Sequence, residues 1–222
     1  MLKNYKTTLQ YASADIEVKK SKFISQVFQI TSENEAIEII AKVRKEHPKA
    51  VHNVFAYMVG YNNEIVRQSD DGEPSGTSGM PTLDILQKED IKNTLIVTTR
   101  YFGGTLLGTG GLVSAYGSCA KLAVQCAVIF DKELHYKVSL KCNYDYHGKL
   151  QYYLLNNNYY IEDTIYLENI EMIFYVPYDK FKKLEKDILE QTKGIVKPDI
   201  ITPIYCSTIN EEFKIFEETK EI

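Results

Sequence analysis

The sequence predicts an α+β protein built from two domains, and three observations support that prediction. The chain has 222 residues, more than one typical domain and fewer than three. Its hydrophobic content of 44% and charged content of 25% are ordinary for globular proteins, which excludes wholesale disorder and fibrous architectures. Strand periodicity and helix periodicity both occur along the chain, as an α+β fold requires.

The first predicted domain, residues 1–135, mixes both kinds of element. Two extended runs, the second over 23–30, predict strands. Ser32 and Glu35 have the spacing of a capping box, so a helix is expected to begin there and to end before Pro48. The remaining predicted elements are a strand pair over 54–59 and 64–68, a short helix over 81–87, a buried strand over 95–99 and a helix over 112–130.

The second predicted domain, residues 136–210, has the element order βαββαβ, which is typical of a ferredoxin-like split βαβ unit. Its last strand contains Pro198 and Pro203, and prolines favour an edge position because they cannot donate to a ladder. Residues 211–222 are rich in Glu and are predicted to be a frayed acidic tail. The predicted strands span 138–143, 159–167, 170–176 and 196–205, and the predicted helices span 148–155 and 178–191.

The charge balance excludes several classes of function. Lys and Arg number 26 against 30 Asp and Glu, a net charge of −4, which argues against generic binders of nucleic acid or anionic membranes. All of that net charge falls in residues 136–222, so an anion site is expected in the first domain, and double-stranded DNA is not an expected partner. No run approaches the roughly 20 apolar residues of a membrane helix, and no apolar signal core is evident, so a cytoplasmic protein is expected.

Ten of the 12 glycines lie between Gly60 and Gly117, and they mark two loops. The first, which we call the carboxylate loop, spans residues 69–81 and could hold a hard cation such as Mg²⁺, which takes oxygen ligands. Thr77 and Ser78 could donate to a phosphate or cap the next helix. The alternative is that these residue types simply form a tight surface loop. The three carboxylates predicted as metal ligands are Asp70, Asp71 and Glu73.

The second loop, which we call the glycine loop, spans residues 100–111, follows a buried strand and leads into a helix. Free N–H groups and the helix dipole attract anions at such a place. The pattern is not a P-loop, because Thr109 stands where Lys is required, nor a dinucleotide-binding fingerprint, because Val113 replaces the third glycine. Close packing of strand against helix also requires glycine, and the sequence leaves both interpretations open.

Arg100 is the only arginine in either loop, and two interpretations apply to it. Either the paired N–H donors of its guanidinium bind a phosphate or carboxylate ligand, or Arg100 pairs with a carboxylate of the first loop and holds the two loops together. The second is favoured because those carboxylates need a counter-charge. His52, at the start of a strand, is more simply a hydrogen-bonded structural residue than a base. Nucleophile motifs and zinc-type cysteine spacings are absent from the sequence, so an enzyme is not favoured.

The strings HNVFAY, DDGEPSGTSGMP and VTTRYFGGTLLGTGGLVSAY resemble the YigZ/IMPACT family, in its bacterial two-domain form, and the resemblance covers nearly the whole chain. It implies a first domain with the left-handed βαβ fold of the second domain of a ribosomal small-subunit protein. It implies a ferredoxin-like second domain similar to the last domain of elongation factor G. Eukaryotic IMPACT relatives regulate translation by competing for the activator of a starvation-responsive initiation-factor kinase, so a role in translation is implied.

The resemblance also implies which residues matter. The family usually has a basic residue at the positions of Met58, Leu106 and Ser114, so this chain is expected to carry less positive charge beside its glycine-rich loops. If the family site binds phosphate or RNA, this chain is expected to bind it more weakly, or to recognise something less charged. The predicted ligand-binding or partner-binding residues are His52, Tyr57, Asp70, Asp71, Gly72, Glu73, Thr77, Ser78, Arg100, Tyr101, Gly103, Gly104, Gly108, Gly110 and Gly111.

Three functions remain as alternatives. The leading hypothesis is a translation-associated regulatory or binding protein that engages a ribosomal, RNA or protein partner through the glycine-rich face of its first domain. The second is a magnesium-dependent enzyme acting on a phosphorylated small molecule, with the ion on the carboxylate loop and the phosphate on the glycine loop. The third is a simple protein–protein interaction module, which the net charge permits most easily.

Overall fold

Five antiparallel strands form the sheet that organises the first of two units of the chain, Met1–Asp131. The computed structural model describes residues 4–216. The elements of this unit are strands β1 (Asn4–Thr8), β2 (Ala12–Val18), β3 (Ser21–Gln29), β4 (His52–Val59), β5 (Ile65–Ser69) and β6 (Thr94–Tyr101), and helices α1 (Glu33–Glu46), α2 (Gly79–Lys88) and α3 (Gly108–Cys126). The sheet order is β2-β3-β6-β4-β5, with β6 at the centre.

Helices cover both faces of this sheet. Tyr57 and Val59 of β4 pack in one cluster with the apolar side of α1. Ala56 and Met58, which alternate with them, pack in another cluster with residues of α2 and α3. The central strand β6 is buried along nearly its whole length because both of its faces are covered. The unit therefore has three layers, and the predicted mixed α+β class is confirmed.

The start of α1 follows the polar residues that the sequence places there. Ser32 is the N-cap, and its hydroxyl accepts the N–H of Glu35 at 3.2 Å. The Glu35 carboxylate accepts the N–H of Thr31 at 2.7 Å, one residue before the position used in a standard capping box. The helix ends at Glu46, so the predicted boundary before Pro48 is confirmed.

Helix α3 differs from its prediction at both ends. A helix over 112–130 is expected from the sequence, but α3 spans Gly108–Cys126, so its first turn comes from the glycine loop. Ala127 is extended, and the apolar run after it opens strand β7 (Ile129–Cys142). A short apolar run has no period of its own, and its β-branched and aromatic residues favour a strand over the end of a helix.

The second unit, Lys132–Ile222, has the element order βαββαβ followed by one further strand. Besides β7, its elements are α4 (Tyr144–Asn156), β8 (Tyr160–Tyr166), β9 (Ile170–Pro177), a 3₁₀ turn (Tyr178–Lys180), α5 (Phe181–Gln191), β10 (Pro198–Ile209) and β11 (Glu212–Phe216). The sheet order is β11-β10-β7-β9-β8, and each of these neighbouring pairs is antiparallel. Leu150 of α4 and Leu184 of α5 belong to the core cluster that the helices form with this sheet.

The predicted frayed tail is wrong for the part of it that the structure describes. The residues of β11 pair with β10 and form a hairpin. Phe213 and Ile215 pack against Tyr175 and Cys206, so burial of alternating apolar side chains stabilises a strand in this acidic segment. Residues 217–222 of the predicted tail lie outside the described residues.

The predicted edge position of the last βαββαβ strand is also wrong, because β10 lies between β7 and β11. The proline argument still holds locally. β11 pairs only with Tyr205–Ile209, whereas Pro198 and Pro203 lie in the half of β10 that pairs with β7 alone. The two prolines lack a backbone N–H, but they do not interrupt the hydrogen bonding between β10 and β11 because they lie outside it. Within residues 4–216, no helix is both long and apolar enough to cross a membrane.

Candidate functional site

A cleft of about 400 Å³ opens in the first unit between the carboxylate loop, which connects β5 to α2, and the glycine loop, which connects β6 to α3. His52 of β4 pairs with Arg100 of β6, and Arg100 pairs with Phe23 of β3. Residues paired across neighbouring strands project to the same face of a sheet. The cleft is lined by Val51, His52, Glu73, Pro74, Arg100, Phe102, Leu106, Leu107, Gly108, Thr109 and Leu112.

A buried ion pair joins the two loops. Arg100 Nη1 donates to Glu73 Oε1 at 2.6 Å, and the two side chains are only 6% and 3% exposed. Tyr116 of α3 donates to the same carboxylate oxygen at 2.8 Å. Burial, reinforced by the Glu73 carboxylate, raises the pKa of Tyr116 well above its usual range. The guanidinium also lies over the rings of Phe23 and Phe102, at 5.4 and 5.5 Å from their centroids. The favoured pairing of Arg100 with a carboxylate of the first loop is therefore present.

His52 and Asp71 link the carboxylate loop to the start of β4. The Nδ1–H of His52 donates to the carbonyl oxygen of Asp71 at 2.7 Å, and its Nε2 lies 3.8 Å from Glu73 Oε1. The Asp71 carboxylate accepts the N–H of Asn53 and a bond from Arg44, both at 2.6 Å. These contacts hold His52 as a hydrogen-bonded structural residue, and its second ring nitrogen faces the buried ion pair.

Asp70 caps helix α2 from eight residues upstream of its N-cap. One carboxylate oxygen accepts the hydroxyl and N–H of Ser78 and the N–H of Gly79, at 2.6, 3.0 and 2.8 Å. The other oxygen accepts the N–H of Gly76 at 2.9 Å. Burial by itself raises the pKa of Asp70, but these hydrogen bonds outweigh it, so the net effect holds the pKa below its usual value. Asp70, rather than Thr77 or Ser78, supplies the capping acceptor for α2.

The predicted magnesium site is wrong, because the three carboxylates do not converge. Asp70 faces the start of α2, Asp71 faces Arg44 and β4, and Glu73 faces Arg100. Within residues 4–216, no group of three or more His, Cys, Asp or Glu side chains could hold a metal ion. Protein donors already occupy both carboxylate oxygens of Asp70 and of Asp71 and one oxygen of Glu73, and a hard cation would need such oxygens as ligands.

The glycine loop contains glycines of two kinds. A Cβ on Gly103 would lie 2.0 Å from the carbonyl carbon of Lys20, so this glycine allows close backbone packing against the β2–β3 turn. Gly104 and Gly108 have φ of 82° and 74° and open space around the Cβ position. A Cβ on Gly110 would also meet only open space. The packing interpretation therefore applies to Gly103, and the loop beyond it is open to solvent.

The first turn of α3 has no side-chain cap. Its N-cap is Leu107, no side-chain oxygen accepts from the helix start, and no acidic residue lies in the first turn. Gly108 and Thr109 line the cleft. The first N–H groups of a helix have no partner within it. The positive end of the α3 dipole therefore lies at the cleft, and no acidic side chain in the first turn of α3 neutralises it.

Several predicted residues lie away from the cleft. Tyr57 faces α1 and donates to Glu33 at 2.9 Å, and burial followed by that carboxylate raises its pKa to about 12. The Tyr101 hydroxyl contacts His47 at the end of α1, at 2.8 Å. Successive residues of a strand alternate between faces, so Tyr101 points away from the face that Arg100 occupies. The Thr77 hydroxyl donates to the carbonyl of Pro74 within the loop.

The three positions that lack the usual basic residue differ in environment. Leu106 is 83% exposed at the cleft, and Ser114 is exposed on α3. Met58 is 1% exposed and pairs with Thr94 at the far end of β4 from His52. The expectation that all three lie beside the glycine-rich loops is therefore wrong for Met58. The alternation of β4 turns this side chain into the core.

The predicted set of binding residues omits two hydrogen-bonding contributors to the site, Tyr116 and Ser21. It also omits seven of the eleven residues that line the cleft: Val51, Pro74, Phe102, Leu106, Leu107, Thr109 and Leu112. Tyr116 reaches Glu73 across 43 residues of sequence, and the Ser21 hydroxyl accepts the N–H of Gly103 across 82 residues. Contacts of this range have no local signal in a single sequence. Tyr116 lies at helical spacing from Leu112 and Cys119, and that pattern indicates only that the residue faces the core.

Comparisons with known proteins agree with this organisation. Residues 19–124 match the family described as the Impact N-terminal domain, and residues 140–194 match a domain of unknown function (DUF1949). The chain is 36% identical to the IMPACT family member YvyE of Bacillus subtilis over 90% of this chain and 91% of that protein. It is 38% identical to YigZ of Escherichia coli over 58% of this chain and 64% of that protein. A solved structure described as that of a hypothetical protein matches with a TM-score of 0.59 and 27% identity, over 91% of this chain and 99% of the other.

Proposed function

The chain belongs to the YigZ/IMPACT family, and we propose that it is a cytoplasmic, translation-associated regulatory protein. It binds a ribosomal, RNA or protein partner through the glycine-rich face of its first unit. The cleft between the carboxylate loop and the glycine loop is the centre of that face. Translation is the expected process because the eukaryotic members of the family regulate it. For the bacterial two-domain form, direct binding of a partner is the simplest role.

The proposal rests on one observation, which is that apolar residues lining the cleft are exposed to solvent. Leu106 is 83% exposed, Val51 58% and Phe102 48%, and all three line the same cleft. Scattered exposed apolar residues are ordinary, but a group of them around one concave site marks a binding surface. Beneath this rim the buried pair of Arg100 and Glu73 holds the loops in place. A rigid support under an apolar rim is an arrangement suited to binding a partner.

The two domain resemblances belong to the same proposal. The second unit has the order βαββαβ, with antiparallel strands arranged as β10-β7-β9-β8. This supports a ferredoxin-like domain similar to the last domain of elongation factor G. The first unit, with helices on both faces of its sheet, is compatible with the proposed likeness to a ribosomal small-subunit protein domain. By analogy, the two proposed likenesses support a role in translation, but fold by itself does not assign function.

Affinity capture with a rim variant and a matched control tests the proposal. The tagged full-length chain is used to capture partners from a native lysate, with and without nuclease. Leu106→Asp places a charge on the rim, whereas Leu167→Asp changes a leucine that is 72% exposed in the second unit. We expect Leu106→Asp to lose ribosomal components or a translation factor that wild type and Leu167→Asp retain. Equal recovery by all three proteins contradicts the proposal.

A simple protein–protein interaction module is a second candidate, and the same apolar rim favours it. The nuclease arm separates the two candidates. A captured protein unrelated to translation that persists after nuclease treatment supports the module. The magnesium-dependent enzyme has lost its main support, because protein donors engage the carboxylates that were to hold the ion.

A further inference from the structure

The cleft has the size and walls of a site for one apolar group. Its volume of about 400 Å³ is within the range of small-ligand pockets, which is roughly 300–1,000 Å³. Apolar side chains form most of the wall, and Leu112 at its inner side is only 5% exposed. A nucleic-acid backbone is polar and highly charged, so it does not match these apolar walls, whatever its fit to the volume. A single large side chain matches both the volume and the walls.

The charges in the cleft disfavour a phosphate. Apart from His52, the charged side chains lining it are Arg100 and Glu73, which neutralise one another at 2.6 Å. Phosphate binding in nucleic-acid complexes relies on Lys and Arg whose charge is free for the ligand. A dianion in this cleft would meet the Glu73 carboxylate with no unpaired cation in the lining to compensate. A carboxylate carries less charge and suffers less of this repulsion.

The cleft nevertheless offers donors to an anion at one place. Gly108 and Thr109, at the uncapped start of α3, line it, and Gly110 adds no side chain that would block approach. Among the other helices, α1, α2 and α4 have a side-chain acceptor at their start, from Ser32, Asp70 and Asn143 respectively, whereas α5, like α3, has no side-chain cap.

A second and independent feature of the same wall indicates a ligand. Arg100 is 5% exposed, and its Nε has no hydrogen bond partner among the described residues. Its Nη2 reaches only Ser21, at 3.5 Å. An unpaired donor on a side chain this buried is uncommon in native proteins. The guanidinium therefore has donor capacity beyond its bond to Glu73, and Arg100 lines the same cleft as Gly108 and Thr109 at the start of α3.

On the basis of the function proposed above, we propose that the cleft binds a carboxylate attached to a large apolar group, as carried by a protein partner whose chain ends in an apolar residue. The apolar side chain occupies the cleft between the two loops. The carboxylate accepts hydrogen bonds from the N–H groups at the start of α3. The partner contacted by this face is therefore a protein, and RNA is not what the cleft recognises.

Small probes test this on the intact chain by amide NMR titration. N-acetyl-L-leucinate carries both features, N-acetyl-L-leucinamide lacks the carboxylate, and inorganic phosphate lacks the apolar group. We expect leucinate to shift the amide signals of Gly108, Gly110 and Gly111 with millimolar affinity, and leucinamide to bind at least about tenfold more weakly. The proposal is overturned if leucinate shifts none of these signals, if leucinamide binds as well, or if phosphate produces the same shifts at lower concentration.

A charge variant sharpens the test without removing any buried residue. Thr109→Asp places a carboxylate in the first turn of α3, where it is expected to take the place of the ligand's carboxylate and weaken leucinate binding by at least about tenfold. Ser118→Asp adds the same charge about 14 Å further along α3, beyond a Debye length, and should leave binding unchanged. Thr109→Asp should not lower the melting temperature, because an acidic residue stabilises a helix N-terminus. Equal binding by both variants overturns the proposal.

The failure of this inference is distinguishable from failure of the proposed function. If affinity capture depends on Leu106 but leucinate causes no shift, the glycine-rich face binds a partner, and the inference that the cleft binds a carboxylate attached to an apolar group is wrong. If the captured partner is lost on nuclease treatment and phosphate reproduces the shifts, the ligand is RNA. If leucinate binds and capture fails for the wild type, the small-ligand site is real and the translation-associated function is wrong.

Discussion

The carboxylate loop and the glycine loop lie side by side in the first unit, but they use their polar groups in opposite ways. In the carboxylate loop Asp70 caps α2, Asp71 binds Arg44 and β4, and Glu73 pairs with Arg100. The start of α3, at the end of the glycine loop, has neither a side-chain cap nor an acidic residue. A loop rich in charged residues can therefore be a scaffold, while its neighbour, which has no charged residue after Arg100, forms the open surface. The role of each loop depends on whether its donors and acceptors have partners within the protein, and the amino-acid composition of a loop does not show this.

The largest expected effect comes from breaking the ion pair that ties the loops together. We expect Arg100→Ala to lower the free energy of unfolding by about 3–5 kcal/mol, because it leaves the Glu73 carboxylate buried without its counter-charge. Urea unfolding measures the loss. Arg44→Ala, which removes a pair whose side chains are 46% and 25% exposed, is the matched control and should cost about 1 kcal/mol or less.

A double-mutant cycle separates the pair from other effects of the substitution. If the two residues act on each other, Glu73→Gln and Arg100→Ala together should cost less than the sum of the single changes. Strictly additive losses, or an Arg100→Ala variant as stable as Arg44→Ala, would show that the pair does not hold the loops.

A smaller effect distinguishes the two kinds of glycine. We expect Gly103→Ala to destabilise the protein by about 1–3 kcal/mol, because its Cβ would lie 2.0 Å from backbone atoms at Lys20. Gly110→Ala should instead stabilise it by about 0.5–1 kcal/mol, because alanine favours the helix and its Cβ meets open space. Thermal unfolding checks both signs. The distinction fails if the two substitutions shift the melting temperature in the same direction.

The smallest effect depends on pH. We expect Asp70→Asn to cost about 0.5–2 kcal/mol at pH 7, because the amide has one acceptor oxygen where both carboxylate oxygens accept hydrogen bonds and because it removes a negative charge from the helix N-terminus. The folded-state pKa of Asp70 lies below its unfolded value of about 3.9, so its contribution is present above that pH and is lost as the pH falls through the folded-state pKa. The difference between wild type and variant should therefore shrink in urea unfolding at low pH.

Asp84→Asn in the same helix is the control for that pH series. The Asp84 side chain is 48% exposed and pairs with Lys88 one turn along α2, so its removal should have little effect at any pH. A difference between wild type and Asp70→Asn that stays constant from pH 7 to low pH would count against the capping role.

Elements with a clear local period were predictable, whereas those defined by a distant partner were not. The helix capped by Ser32 and the buried strand that became β6 carry strong local signals. The strand β11 was missed because its acidic residues suggested a tail, and only Phe213 and Ile215 packing on the second unit's sheet makes it a strand. The sequence predicts the start of α3 four residues too late, because glycines are poor helix formers, although first-turn positions tolerate them here.

The family, the mixed α+β class, the two loops and the need of the three carboxylates for a counter-charge all follow from the amino-acid sequence. It did not determine which carboxylate meets Arg100, because three chemically similar groups lie within four residues of one another. The tertiary structure decides this by pairing His52 with Arg100 in the sheet and by bringing Tyr116 of α3 to Glu73. A buried charge is stable only when the fold brings a partner of opposite charge to hydrogen-bond distance. Here the partners of Glu73 are Arg100 and Tyr116, which lie 27 and 43 residues away in the sequence, and no local pattern encodes contacts of that range.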